Sequence, residues 1–104
     1  MKRAAPDLPG DIDKLLHEPA RLLLLAHLAV VRRADFTWMQ RQTGLTAGNL
    51  SAQMSRLAEG GIVTVEKRFR DNRPQTLYEL TDAGRDALRK YRESMQRVLD
   101  ALPD

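Results

Sequence analysis

Asn49 and Gln53 stand four residues apart, a spacing that stacks two side chains on one face of a helix. A carboxamide both donates and accepts hydrogen bonds, and such a group can pair bidentately with the edge of an adenine. The residues around them, Thr46, Ala47, Gly48, Ser51, Ala52 and Ser55, are small or hydroxylated, and Arg56 adds a cation. Small side chains permit close approach of a helix to another surface, as reading a DNA major groove demands. A second group follows at Lys67, Arg68, Arg70 and Arg73. Cations at that density suit a phosphate backbone, although a charge cluster alone is usually a solvated face.

Other chemistries find less support. The chain has no cysteine, which removes disulfides, thiolate metal sites and a cysteine nucleophile together. His17 and His27 are ten apart with no matching carboxylate spacing, and His27 sits in an apolar run. The sequence therefore calls for no metal and no cofactor, and His27 reads as a hydrogen-bonded interior or interface group. No Ser/His/Asp order, glycine-rich phosphate loop or carboxylate pair stands out, so catalysis is not expected. Trp38 and Met39 read as ordinary packing rather than as the lining of a ligand pocket.

At 104 residues the expectation is one domain, and 42% hydrophobic with 30% charged residues fits a globular chain. The longest apolar run, Leu22 to Val31, falls short of the roughly 20 residues needed to span a bilayer. With no signal-peptide pattern either, a cytoplasmic protein without membrane contact is expected. The net charge of +3 is weak, but its distribution is not. Residues 32–76 carry eight basic and four acidic groups, whereas 1–31 are neutral and 77–104 sum to −1. A surplus confined to the segment that holds both candidate groups favours a polyanionic partner.

The elements that must position these groups follow from pattern. Pro6, Pro9 and Gly10 make residues 1–10 an irregular arm, leaving 11–104 as the folded domain. A short helix is expected from Asp11, then one over about 19–31 with Pro19 in its first turn. That second helix is apolar nearly all round and needs more burial than so small a core supplies, so part of it should face a second subunit. Thr37 with Gln40 fits a capping box for a helix ending at Gly44, and Thr46 caps the next, which runs to Gly60. On the latter, Leu50, Met54 and Leu57 form one apolar stripe. Ile62–Arg70 and Gln75–Leu80 read as paired strands around a turn at 70–74. Thr81 caps a last helix over about 82–101. Two helices joined at Gly44 have the form of a helix-turn-helix, and the following hairpin with its basic tip makes the whole a mainly α winged helix, α-α-α-β-β-α.

The run from Thr46 to Val63, Glu66-Lys67 and the run from Arg73 to Arg85 together resemble winged-helix transcriptional regulators of the MarR/ArsR type. The segment Leu15 to Arg21 is similar to the start of their short single-domain subgroup, and the resemblance covers about residues 12–100. It implies a homodimer on a palindromic operator, with double-stranded DNA as partner and repression as the expected mode. It also implies that Ala47, Asn49, Ser51, Ala52 and Gln53 face bases and that Arg73, after Asp71, serves the wing. Many relatives carry Arg or His where Ala52 and Gln53 stand, a departure that bears on the operator sequence. The expected subunit contact uses Leu15, Leu22, Leu25, Leu88, Tyr91, Met95, Val98 and Leu102, on the terminal helices. The sequence names no small-molecule effector. The alternative function is a winged-helix module that binds protein instead of DNA, whose signs would be a neutral or acidic wing and a bulky apolar helix face.

Overall fold

The computed structural model describes residues 12–104, so the arm expected over 1–10 lies outside the described residues. The element order is α1 (Pro19–Val31), β1 (Arg33–Asp35), α2 (Phe36–Thr43), α3 (Ala47–Glu59), β2 (Val63–Arg70), β3 (Arg73–Leu80) and α4 (Asp82–Ala101). Each helix starts where a side chain takes over an otherwise unpaired N–H: Glu18 accepts from Arg21, Asp35 from Trp38, Thr46 from Asn49 and Thr81 from Gly84. Gly44 ends α2 in the left-handed region, φ 71°, as its position suggests.

Three local readings need correction. No helix forms between Ile12 and Glu18. The Asp13 carboxylate accepts from the N–H groups of Leu15 and Leu16, which offers the backbone a turn in place of a helical ladder. Helix α2 is capped by Asp35 rather than Thr37, because Arg33–Asp35 extends to pair with Leu77–Glu79 and the helix then starts at Phe36. The hairpin turn is also tighter than residues 70–74: Asp71 and Asn72 alone make it, with φ of 52° and 62°. Two consecutive positive φ values match the twist of a two-residue hairpin, and Asp and Asn tolerate them better than most residues.

The sheet is antiparallel in the order β1-β3-β2. Its inner end packs with the helices around one core: Leu24, Leu25 and Leu28 of α1, Met39 of α2, the expected Leu50, Met54 and Leu57 stripe of α3, Tyr78 and Leu80 of β3, and Tyr91 of α4. Helix α1 is thus buried on one side only, with Leu23, Val30 and Val31 exposed.

Helix α4 enters against the end of the α3–β2 link. The Thr81 amide and hydroxyl both donate to the Ile62 carbonyl, at 3.0 Å each. Gly84 lies directly over that carbonyl, where a β-carbon would come within 2.9 Å of the Ile62 carbonyl carbon and nearer still to its oxygen. Backbone on both sides leaves nothing flexible to move aside. Gly84→Ala is expected to destabilise the fold by about 2 kcal/mol, as overpacking does. In a domain this size that lowers Tm by about 10 °C in a thermal melt; an unchanged Tm would show that α4 docks loosely.

Candidate nucleic-acid interface

The outer side of α3 is almost free of bulk. Ala47, Gly48, Asn49, Ser51, Ala52, Ser55 and Arg56 are all exposed, opposite the buried Leu50–Met54–Leu57 stripe. Thr46 accepts from the Asn49 N–H at 3.1 Å and fixes where the helix starts. The remaining N–H groups of that first turn carry the positive end of the helix dipole, which favours an anion nearby. Gly48 has open space where a β-carbon would stand, so packing within the chain does not require a glycine there. Arg56 lies in the last turn of α3, where its charge also complements the negative end of the helix.

Strand alternation divides the basic residues of the hairpin between two faces, a division the linear cluster conceals. Lys67 shares a face with Val65 and Phe69, and that face turns toward α3. Lys67, Thr76, Ser51 and Ser55 line a shallow crevice of about 160 Å³ between wing and helix. Arg68, Arg70 and Arg73 belong to the other face. Arg68 donates from Nε to Gln75 Oε1 at 2.9 Å, Gln75 donates to Asp35 Oδ2 at 3.1 Å, and Asp35 caps α2. Arg68 thus braces the wing against the helix-turn-helix.

Arg70 and Arg73 stand directly opposite each other beside the turn. Like charges across a strand pair are destabilising, and among the described residues neither has a carboxylate partner, Asp71 included. A repulsion at the extremity of the fold, relieved by nothing nearby, is what contact with phosphate would relieve. Phe69 is 77% exposed beside them, across from Pro74. Phe69 is not among the residues expected from the sequence, although its place in the Val65, Lys67, Phe69 alternation is a signal for it.

Gln53 is only half exposed and lies on the flank of α3 that meets α1. Its Oε1 accepts from Arg21 Nε at 2.8 Å, and its Nε2 donates to Asn49 Oδ1 at 3.1 Å. Arg21 is the second residue that the sequence reading missed, and a contact across 32 positions leaves no local trace.

The residues expected at a subunit contact separate into two sets. Leu25 is fully buried in its own core, Leu15 is partly buried beneath Gly60, and Tyr91, although nearly buried, still lines the groove between α1 and α4. The Tyr91 hydroxyl shares a 2.7 Å hydrogen bond with His17 Nδ1, and burial pushes its pKa above the ordinary phenol value. Leu22, Leu88 and Met95, with Leu99, line an open apolar groove of about 560 Å³ between α1 and α4. Val98 is half-buried, and Leu99 and Leu102 are exposed. His27 lies in α1, bonded to the Leu23 carbonyl and set edge-on to Trp38.

A helix-turn-helix whose second helix is bare on its outer side, followed by a cationic hairpin that completes a three-stranded sheet with β1, defines a winged helix. The chain belongs to the winged helix DNA-binding domain family, which it matches over residues 20–99. It is 30% identical over 78 residues to the uncharacterized protein MJ0432 of Methanocaldococcus jannaschii, covering 75% of this chain and 85% of that one. Among solved structures it resembles a transcriptional regulator homologue from Pyrococcus horikoshii OT3, at 33% identity and a TM-score of 0.82, over 88% of this chain and 91% of that one. It also resembles the transcriptional repressor BigR of Xylella fastidiosa, at 32% identity and a TM-score of 0.59, over 77% and 74% of the two chains. The resemblance to winged-helix transcriptional regulators therefore holds, and family and neighbours together support a DNA-binding regulator. Among the described residues no helix is long and apolar enough to cross a membrane.

Proposed function

We propose that this chain is a sequence-specific transcriptional repressor that acts in the cytoplasm, without a catalytic role, as a homodimer on a two-fold symmetric operator. The observation that carries the reading is the pairing of a bare, N-capped α3 with wing arginines that lack partners within the described fold. Helix α3 enters the major groove, while Arg70 and Arg73 reach the adjoining backbone or minor groove. Lys67 adds charge between the two. The apolar groove of α1 and α4 supplies the subunit contact.

Selection of bound sites from random duplex DNA at fixed salt tests this. Two inverted half-sites should be enriched, their centres about one helical turn or roughly 34 Å apart. Absence of any enriched sequence would overturn the proposal and favour a protein-binding module.

Gly48 offers a separate check, because fold and function pull on it differently. A β-carbon there meets open space and the position is exposed, so Gly48→Leu should leave Tm unchanged or slightly raised. On DNA the same side chain would hold α3 away from the bases. Binding to the selected site should weaken at least about tenfold, the value of one or more lost base contacts. Equal affinity for the variant would place α3 outside the groove.

A further inference from the structure

The amide pair on α3 is not free to choose its orientation. An arginine guanidinium donates and cannot accept, so the group that meets Arg21 Nε at 2.8 Å must be the oxygen of Gln53, whichever way the amide is drawn. That turns Gln53 Nε2 toward Asn49, where it meets Oδ1 at 3.1 Å. Asn49 Nδ2 is left facing away from the pair. Arg21 is itself fixed: its side chain is 14% exposed, Nη1 donates to the Leu15 carbonyl at 2.9 Å, and Glu18 Oε2 lies 4.0 Å from Nε.

We infer that Arg21 is a positioning residue that makes α3 read guanine, by holding the Asn49–Gln53 pair so that its uncommitted N–H donors meet the base while each oxygen already accepts from another side chain. The inference rests on the DNA-binding reading above. A free carboxamide matches adenine, whose N6 donates beside the N7 acceptor. Here the oxygen that adenine N6 needs already accepts from Arg21 Nε in Gln53 and from Gln53 Nε2 in Asn49. Each is held by another side chain and keeps only one of its two lone pairs. Guanine instead offers two neighbouring acceptors, O6 and N7, and no donor on that edge. The free hydrogens of Gln53 Nε2 and Asn49 Nδ2 meet those acceptors, whereas they would meet adenine N6 donor to donor. The adenine preference that the residue types alone suggest is reversed by a residue on another helix.

The test uses the full chain and its selected site. Gln53→Ala first locates the base pairs at which discrimination is lost. At those pairs guanine is expected, and 7-deazaguanine, which replaces the N7 acceptor by C–H, should weaken wild-type binding about tenfold. Arg21→Lys keeps a donor that cannot accept, so it should keep the guanine preference. Arg21→Met frees the Gln53 amide to turn over and should bring adenine level with guanine or ahead of it.

Adenine preferred by the wild type at those pairs, or indifference to 7-deazaguanine, would overturn the inference while leaving DNA binding intact. So would an Arg21→Met protein that binds all sequences more weakly but keeps its preference, since that is what a merely structural arginine predicts. Should Arg21→Met fail to fold in a melting experiment, the wild-type and Arg21→Lys response to 7-deazaguanine decides. If the wild type enriches no sequence at all, the regulator reading fails, and this inference with it.

Discussion

Replacing Arg70 and Arg73 together by alanine is expected to weaken DNA binding about 60-fold at 0.1 M salt and to flatten the salt dependence by nearly two units. Each phosphate contact releases condensed counterions, so each contributes about 0.9 to the slope of log affinity against log salt. One lost contact then costs about eightfold at 0.1 M relative to 1 M salt, and two multiply. Arg73→Ala alone should reduce the slope by about one unit and weaken all sequences alike. The free protein should not suffer, because Arg70 and Arg73 face each other across the hairpin and gain nothing from it. Relieving that repulsion leaves Tm equal or higher. Gln53→Ala differs in kind: it should alter preference among operator variants by about 1–3 kcal/mol at the affected pairs, with the salt slope unchanged. Affinity titrations at four salt concentrations separate the two. An unchanged affinity and slope for the double variant would remove the wing from the interface.

The contrast between these residues bears on what the sequence reveals. Helix α3 was legible throughout, because its cap, its apolar stripe and its glycine terminus are local signals read within one element. The Asp71–Asn72 turn was recognisable by type, but its two-residue length depends on how the strands pair. Strand β1 escaped notice since three residues, Arg33–Asp35, show no period, and missing it displaced the start of α2 to the wrong cap. The wing cations read as one cluster along the chain, and only the pleat reveals that Lys67 turns to α3 while Arg68 braces Gln75. Arg21 shows the limit most sharply. It has the composition of a surface residue, yet its partners Leu15, Glu18 and Gln53 enclose it through tertiary packing.

The same limit explains why the expected subunit contact includes a core residue such as Leu25. Periodicity marks Leu25 and Tyr91 as apolar-facing, but cannot say whether the surface they meet belongs to the same chain or to another. Burial divides them: what the core leaves over is the groove and the exposed residues beside it. The charge distribution acquires a physical meaning from this division. The basic surplus of residues 32–76 falls on the helix-turn-helix and wing, while on α4 Asp86, Arg89, Lys90 and Glu93 pair along one helix. Asp86 illustrates this, its carboxyl held below the usual range by Arg89 and then Lys90 on the same helix.

Val30→Glu combined with Leu99→Glu is expected to convert the protein to a monomer in sedimentation and to weaken binding to the full operator by about 100-fold or more. The magnitude follows from effective concentration: once one half-site is held, the second binds as if its ligand were tethered, an advantage of about 10²–10⁴ that vanishes when the tether is cut. Binding to a single half-site should persist, because neither substitution touches α3 or the wing. Both side chains are exposed in the single chain, at 85% and 54%, so a carboxylate at either place costs the protomer little and Tm of the monomer should stay close to the value expected without the dimer contact. Truncation after Lys90 is a poorer test of the same contact. It deletes Tyr91, which is nearly buried and bonded to His17, and so damages the fold together with the groove. A double variant that remains dimeric, with full-site affinity intact, would move the subunit contact away from α1 and α4. The operator spacing would then have to be explained by a different two-fold arrangement, since the separation of two α3 helices is set by whichever surface joins the protomers.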